Sequence, residues 1–308
     1  MSSWGSWLMG TPSDSRTSSN LSTLSNFGNT GRVGLLTPAQ QTALTRFKDE
    51  IQKEGLYDEK RHTDHLLLRF LRARKFDHEL TMTMFRNCEQ WRKEFRVEEL
   101  VRNFDFPEGE RIARIYPRYY HKIDRLGRPI YVEHLGKIDI NEMFQITTED
   151  RMIQAFVVSY EGLMNERFPA CSLLAGRNIE QCFTILDLQG LSLMQVPSAL
   201  GFIRRTSAIA QDYYPEMMGK MYVINAPMLF STVWSMIRPF LDEVTVNKIV
   251  IPSANVQQEL LKDVEPENLP AIFGGKCQCP EGCDRSNAGP WCDPEYNPSL
   301  QNGSIDKN

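Results

Sequence analysis

The sequence predicts an α/β fold in which a helical amino-terminal subdomain packs on a domain with a mostly parallel sheet. Apolar residues recur at helical spacing up to about residue 116, and beyond it short β-branched runs alternate with helical segments. Strands joined by helices pair in parallel with right-handed crossovers, which predicts the sheet. We divide the chain into a disordered Ser/Thr-rich arm, the helical subdomain, the sheet domain and a polar tail, at residues 1–34, 35–117, 118–276 and 277–308.

Length, composition and charge exclude several classes of protein. The 308 residues suffice for one large domain or two modest ones, and the net charge of -4 argues against nucleic-acid binding. No apolar run approaches the roughly 18 residues of a membrane span. Seven cysteines without a signal-peptide pattern predict a reducing compartment, the cytoplasm. Four apolar residues of the arm are either part of a disordered chain or a weak membrane-contacting patch. They are Trp4, Trp7, Leu8 and Met9.

The helical subdomain begins at a recognisable cap, because Thr37 precedes Pro38 and proline suits the first turn of a helix. Asp77 is the expected cap of a later helix. Five helices are expected, at about residues 38–54, 64–75, 78–95, 96–103 and 107–116.

The second of these helices contains the stretch LLLRFLRARKFD, which sets four cations among large apolar residues. If this helix continues to Lys75, a turn of about 100° per residue places Arg74 inside the apolar arc. The same geometry places Arg69 and Arg72 on a flank that meets water. A buried cation needs an anion beside it, and the sequence leaves open whether that anion is an internal carboxylate or a ligand.

The sheet domain is expected to begin with two strands around a turn at residues 126–128. Three further strands are expected at residues 182–190, 220–227 and 248–252. Helices are expected between and after these strands, at about residues 147–168, 196–214, 228–237 and 255–264.

Small polar groups and tyrosines mark a candidate pocket. Period-two alternation places four residues on one face of a strand, namely Cys182, Thr184, Leu186 and Leu188. Cys182 and Thr184 either satisfy neighbouring groups in a buried sheet or face a cavity and hold a polar headgroup. Tyr120 and Tyr131 flank the turn and are either core residues or the boundary of a pocket. A pair of tyrosine rings can hold a quaternary ammonium group.

Residues 228–248 are unusually apolar for a connection, and their large side chains cover more than one helical face. This helix is either buried under the crossover or forms a movable lid over an apolar cavity, with Pro239 at its end. Glu216, Thr245 and Lys248 lie before and after it. Each of the three, taken singly, is best explained as a solvated residue, and only a fold that gathers them would make a site.

Several enzyme classes lack their signatures in this chain. The sequence has no GxxxxGK[ST] or GxGxxG phosphate loop and no GxSxG elbow, and its five histidines all precede residue 135. We therefore predict no catalysis. Four thiols in the tail could bind zinc, but their spacing is not the paired CxxC, so reduced structural thiols are favoured and no metal is predicted. They are Cys277, Cys279, Cys283 and Cys292.

Five segments of the sequence closely resemble the CRAL-TRIO lipid-binding family, and within it the fungal phosphatidylinositol/phosphatidylcholine transfer proteins. They are LLRFLRARKFD, YPRYYHKIDRLGRPIY, YYPEMMGKMYVINAP, RPFLDEVTVNKI and ENLPAIFGGK. The resemblance runs from about residue 35 to residue 295. It implies a helical bundle packed on a lipid-binding domain, with a gating helix over an apolar pocket and no cofactor other than one bound phospholipid.

The resemblance also implies which residues bind the lipid. It assigns the phosphatidylinositol headgroup to Arg74, Lys75, Glu216, Thr245 and Lys248. It assigns the phosphatidylcholine headgroup to Tyr120, Tyr131, Cys182 and Thr184. The family has serine where this chain has Cys182, and because a thiol is the weaker donor we expect phosphatidylcholine binding to be weakened. Gly219 and Gly275 correspond to the hinges of the gate.

On this basis we expect a monomeric phospholipid exchanger that contacts membranes transiently and presents phosphatidylinositol to lipid kinases. The expected location is the cytoplasm, with peripheral association at Golgi and endosomal membranes. The alternatives are a carrier of another apolar cargo, such as a sterol, tocopherol or haem, and a lipid hydrolase. The headgroup residues argue against the first alternative, and the missing nucleophile-and-histidine pattern argues against the second.

Overall fold

The computed structural model of the chain describes residues 31–192, 194 and 196–302. The predicted arm at residues 1–34 lies largely outside the described residues, as do Trp4, Trp7, Leu8 and Met9. The described end of the arm contacts the sheet domain, because the guanidinium of Arg32 forms an ion pair with the carboxylate of Glu180.

Five helices form the amino-terminal subdomain, as expected. Thr37 and Gln40 form a reciprocal capping box at the start of the first helix, and Asp77 accepts a hydrogen bond from the Leu80 backbone N–H at the start of the third. Phe47 and Phe85 meet edge to face in a core between the first three helices. The helices are α1 (Pro38–Lys53), α2 (Asp64–Ala73), α3 (His78–Phe95), α4 (Val97–Asn103) and α5 (Gly109–Ile115).

The second half is an α/β domain built on a five-stranded sheet, with the strands in the order β1-β2-β3-β4-β5. The first two strands form an antiparallel hairpin and the others pair in parallel, which confirms the predicted fold class. The strands are β1 (Arg118–Ile123), β2 (Pro129–Glu133), β3 (Cys182–Asp187), β4 (Met218–Ile224) and β5 (Ile249–Val250). The helices are α6 (Ile140–Ile146), α7 (Glu149–Gly162), α8 (Phe168–Ala175), α9 (Val196–Tyr213), α10 (Phe230–Ile237), α11 (Glu243–Asn247), α12 (Val256–Asp263) and α13 (Ser299–Asn302).

The single long helix expected at residues 147–168 is interrupted. A π-helical turn over Leu163–Arg167 separates α7 from α8. Pro169 lies in the first turn of α8, where it lacks the N–H that would continue the α-helical ladder. Helix α2 also differs, because it ends at Ala73 and the backbone of Lys75 is left-handed, with φ 53°.

The carboxyl-terminal segment packs on the sheet domain. The ring of Trp291 is buried and lies edge-on to Tyr120 of β1, at 6.3 Å between centroids. The Lys122 backbone N–H donates to the Ala288 carbonyl, so the segment also bonds to β1 through the main chain. Within the described residues, every helix is too short or too polar to span a bilayer.

Candidate functional site

A cavity of about 730 Å³ lies between one face of the sheet and the helices that cover it. The four residues that were expected on one face of β3 do lie on one face, because all of them line the cavity. They are Cys182, Thr184, Leu186 and Leu188. Phe183 and Ile185 point the other way, into a core with α12. The alternation of β3 therefore separates cavity wall from solid core.

Helix α10 forms part of the cavity wall through four apolar side chains, which are Phe230, Val233, Trp234 and Ile237. The turn before it presents apolar groups to the outside, since Met228 is fully exposed and Leu229 is 61% exposed. Pro239 follows in a short 3-10 helix at the end of α10. The segment predicted as either buried or a lid thus has an inner face on the cavity and an exposed apolar end.

One end of the cavity, here called the tyrosine end, consists of Tyr120, Tyr131, Cys182 and Thr184. The two tyrosines are partners across the β1–β2 hairpin, with ring centroids 5.0 Å apart. Thr184 is the neighbour of Tyr131 on β3, and its hydroxyl oxygen lies 3.6 Å from the Cys182 sulfur. Burial raises the pKa of Tyr120, Tyr131 and Cys182, so all three remain uncharged donors at neutral pH.

Three further polar residues line the cavity near the tyrosine end and were not predicted from the sequence: Tyr116, Glu133 and Tyr160. The Tyr116 hydroxyl donates a hydrogen bond to the Glu133 carboxylate, and burial raises the pKa of Glu133. The alternation of β2 could have indicated Glu133, because it lies two residues after Tyr131 on this strand and therefore on the same face. Tyr116 lies in the turn after α5, where no periodicity indicates direction.

The opposite group, here called the cationic end, consists of Arg74, Lys75, Glu216, Thr245 and Lys248. All five line the cavity, although they come from the end of α2, the loop before β4, and α11 with its C-cap. The Lys248 ammonium lies 3.4 Å from the Glu216 carboxylate. The Thr245 hydroxyl donates to Asp242 at 2.7 Å. The fold therefore gathers residues that were singly uninformative.

The helical-wheel placement of the arginines in α2 was wrong. Arg69 is only 4% exposed and donates to the Pro215 carbonyl at 2.9 Å, and Arg72 pairs with Glu180 at 2.7 Å. Their flank packs against the sheet domain instead of meeting water, and burial lowers the pKa of Arg69 to about 10 and that of Arg72 to about 9. Arg74 follows the last helical residue and turns to the cavity.

The counterions of these cations also differ. Among the described residues, neither Arg74 nor Lys75 takes part in an ion pair, whereas Arg72 has two carboxylate partners, Glu180 and Glu216. Lys75 and Glu216 both have a left-handed backbone, with φ of 53° and 61°. Such conformations cost free energy for residues other than glycine and cluster at functional sites. Among the described residues, the cationic end therefore has two cations without an ion-pair partner, and the Asp212 carboxylate, which also lines the cavity, acts on Arg74 only as a nearby charge.

The register of the sheet separates the two ends. Tyr131, Thr184, Met221 and Ile249 form one row across β2 to β5. Three strand spacings of about 4.8 Å place Tyr131 roughly 14 Å from Ile249, the residue after Lys248. A group held by the tyrosines and a group held by the cations would therefore occupy different places.

The two predicted hinge glycines lie where the backbone is crowded. A side chain at Gly219 would meet the guanidinium of Arg128 at 2.6 Å, and one at Gly275 would collide with the Leu269 carbonyl. Close approach of backbone therefore accounts for glycine at Gly275, whereas at Gly219 the nearest group is the movable end of a side chain. The hinge motion itself stays a prediction.

An apolar cavity with polar groups at two ends, enclosed by a sheet and by a helix with an exposed apolar turn, defines a carrier of one amphipathic molecule. The model described as the CRAL/TRIO domain matches residues 114–275, and that of the CRAL/TRIO N-terminal domain matches residues 43–87. The chain belongs to the CRAL/TRIO family, as the resemblance indicated.

Relatives in fungi and plants extend this result. The Sec14 cytosolic factor of Schizosaccharomyces pombe is 50% identical over 266 residues, which are 86% of this chain and 92% of that protein. The phosphatidylinositol/phosphatidylcholine transfer protein SFH12 of Arabidopsis thaliana is 38% identical over 85% of this chain and 49% of that protein. The crystal structure of Sfh5 shares the fold, with a TM-score of 0.64 and 19% identity over 88% of this chain and 99% of that one.

Proposed function

We propose that this chain binds one phosphatidylinositol or one phosphatidylcholine molecule in its cavity and exchanges it between membranes. The observation that carries the proposal is an apolar cavity with the cations Arg74, Lys75 and Lys248 at one end and a tyrosine pair at the other. A lipid phosphate would give Arg74 and Lys75 the ion-pair partner that neither has among the described residues, and would displace Arg74 from the influence of Asp212. The tyrosine rings and the Glu133 carboxylate suit the quaternary ammonium of choline.

Exchange needs the cavity to open at a membrane, because each buried methylene of an acyl chain is worth about 0.8 kcal/mol and desorption into water is slow. The apolar residues exposed beside α10, Met228 and Leu229, are suited to touch the bilayer at that moment. Opening by rotation at Gly219 and Gly275 completes the proposal. The contact is transient, and a net charge of -4 is consistent with weak adhesion to anionic lipid.

No covalent chemistry is required for this function. Within the described residues, no histidine lines the cavity, so a cavity hydroxyl or thiol has no imidazole base beside it. We propose further that the cytoplasmic protein acts as a monomer at Golgi and endosomal membranes and offers phosphatidylinositol to lipid kinases. The exposure of Lys75 supports the last step, because a headgroup bound at the cationic end would be accessible to another protein.

The test is a parallel transfer assay of labelled phosphatidylinositol and phosphatidylcholine between vesicles, with native mass spectrometry of the purified full-length protein. We expect transfer of both lipids and a bound mass of one phospholipid per chain. A bound sterol, tocopherol or haem, or a folded protein that transfers neither lipid, would contradict the proposal.

A further inference from the structure

Three cysteines of the carboxyl-terminal segment and one histidine of β1 converge on one point behind the sheet. They are His121, Cys277, Cys279 and Cys283, and one donor atom from each lies within 4.8 Å of the other three. The Cys277 sulfur is 3.3 Å from His121 Nε2 and 3.9 Å from the Cys279 sulfur. None of this cluster lines the lipid cavity.

These distances match a tetrahedral metal site. Zinc bonds of about 2.3 Å to sulfur and about 2.0 Å to nitrogen place tetrahedral ligand atoms about 3.8 Å apart for two sulfurs and about 3.6 Å apart for sulfur and nitrogen. The two distances that involve the Cys277 sulfur lie within a few tenths of an ångström of these values, and the remaining donor atoms all lie within 4.8 Å of one another. All three cysteines are free thiols, so each can supply a thiolate.

A neighbouring hydroxyl orients the histidine for this role. Ser286 Oγ lies 3.2 Å from His121 Nδ1 and donates its own proton to the Cys283 carbonyl at 3.2 Å. With the hydroxyl proton on that carbonyl, the Ser286 oxygen accepts the Nδ1–H of His121, and in this tautomer Nε2 is unprotonated and directed at the thiols. Zinc-binding histidines are typically fixed in this way through their other ring nitrogen.

Burial and exposure also suit a structural site. His121 and Cys277 are buried, and main-chain hydrogen bonds of Cys277 with Leu269 and Ala271 hold it in place. Cys279 and Cys283 are partly exposed, which gives an ion a path into the cluster. We propose that His121, Cys277, Cys279 and Cys283 bind one structural zinc ion that fastens the carboxyl-terminal segment to β1.

The sequence favoured reduced thiols because the cysteine spacing is not the paired CxxC, and the fourth ligand now proposed, His121, lies 156 residues before Cys277. Cys292 is the fourth cysteine of the carboxyl-terminal segment, and it does not belong to the cluster. It is exposed, and its thiol donates to the Asn287 carbonyl at 3.0 Å. The proposed zinc lies close to the tyrosine end, because His121 follows Tyr120 on β1. The carboxyl-terminal segment that the zinc would hold also contains Trp291, whose ring packs against Tyr120. Zinc binding would thus stabilise the outer wall of that end, and this inference does not depend on the proposed function.

The test measures metal content on the full-length protein, with Cys279→Ser as the variant and Cys292→Ser as the matched control from the same segment. We expect close to one zinc per chain in the unmodified protein and in Cys292→Ser, and loss of that zinc in Cys279→Ser. A strong chelator should lower the melting temperature of the first two proteins and leave that of Cys279→Ser unchanged.

Cobalt(II) added to protein from which a chelator has removed the zinc provides a second readout, and it needs no variant. Tetrahedral cobalt bound to thiolates absorbs visible light strongly, so the cluster should give this spectrum and zinc should abolish it. Folded protein that takes up neither zinc nor cobalt, a disulfide among the three cysteines in freshly purified protein, or equal zinc in Cys279→Ser and unmodified protein would overturn the proposal.

Discussion

The two ends of the cavity are built in different ways. The tyrosine end lies on paired strands, where neutral side chains are buried and face one another across β1, β2 and β3. The cationic end lies on the end of a helix, a loop and a short helix, where Lys75 is exposed and two residues have a left-handed backbone. One end is held by sheet hydrogen bonds, and the other is held by packing of separate segments.

This difference predicts how each end contributes to binding. Charged groups with no protein partner gain a strong interaction when an anion arrives, whereas neutral donors in a buried wall exchange one modest contact for another. We therefore expect the cationic end to supply more affinity for its lipid than any single group of the tyrosine end. The following variants test that comparison in order of expected effect.

The double variant Arg74→Ala with Lys75→Ala should have the largest effect. At about 1.5–3 kcal/mol for each lost hydrogen bond to a charged group, phosphatidylinositol transfer should fall by roughly a hundredfold or more. Phosphatidylcholine transfer should persist, because its headgroup would lie at the tyrosine end, and the register of the sheet places Tyr131 roughly 14 Å from Ile249, the residue after Lys248. Vesicle transfer assays with each lipid measure both effects.

The matched control is Arg111→Ala with Arg114→Ala, which removes the same charge from exposed residues of α5 that do not line the cavity. This control should transfer both lipids normally. Equal loss of both lipids in the Arg74 and Lys75 variant would show that the two ends are not separate sites.

The conservative variant Glu133→Gln should reduce phosphatidylcholine transfer by about tenfold and leave phosphatidylinositol transfer unchanged, because it removes the carboxylate that would face the choline ammonium.

Burial raises the pKa of Glu133, so acidification protonates this carboxylate before an exposed one. Phosphatidylcholine binding should therefore weaken as the pH falls, and Glu133→Gln should lose that dependence. The exposed Glu142→Gln serves as the control, and an identical pH profile in the two variants would count against the role of Glu133.

Replacement of Thr184 by valine removes one neutral donor, worth about 0.5–1.5 kcal/mol, and should lower phosphatidylcholine binding about two- to tenfold. The control Ile185→Val alters the same strand on its other face, in the core with α12. If phosphatidylcholine loading by native mass spectrometry falls equally in both variants, the cause is a loosened strand and not a lost headgroup contact.

The comparison also explains what the sequence could predict. On strands, a period of two assigns faces without knowledge of the partner, so Cys182 and Thr184 were placed correctly and Glu133 was within reach of the same rule. At the cationic end no period applies. Glu216, Thr245 and Lys248 became a group only through the resemblance, because tertiary packing of three separate segments brings them together.

The error at Arg69 and Arg72 has a physical origin in the same difference. The wheel assumed that α2 continues to Lys75, but the helix ends at Ala73, and the flank with Arg69 and Arg72 packs against Pro215 and Glu180 of the sheet domain. Helical periodicity describes an isolated helix, and it cannot indicate which flank meets a second domain. The cluster of His121 with the tail thiols was missed for a different reason, because His121 lies 156 residues from the nearest of these cysteines and no spacing rule joins them.

The smallest expected effect is that of Cys182→Ser. This variant tests whether the thiol of Cys182 weakens phosphatidylcholine binding at the tyrosine end. A hydroxyl is a stronger donor than a thiol, so serine should bind the phosphate region of phosphatidylcholine more tightly. The gain is a fraction of the ~0.5–1.5 kcal/mol that a neutral hydrogen bond contributes, which corresponds to about two- to threefold in affinity. Phosphatidylinositol transfer should not change, because Cys182 belongs to the other end. Competition between the two lipids for the purified variant measures this shift directly. A preference identical to that of the unmodified protein would mean that Thr184 and the tyrosines alone determine choline-lipid binding at this end.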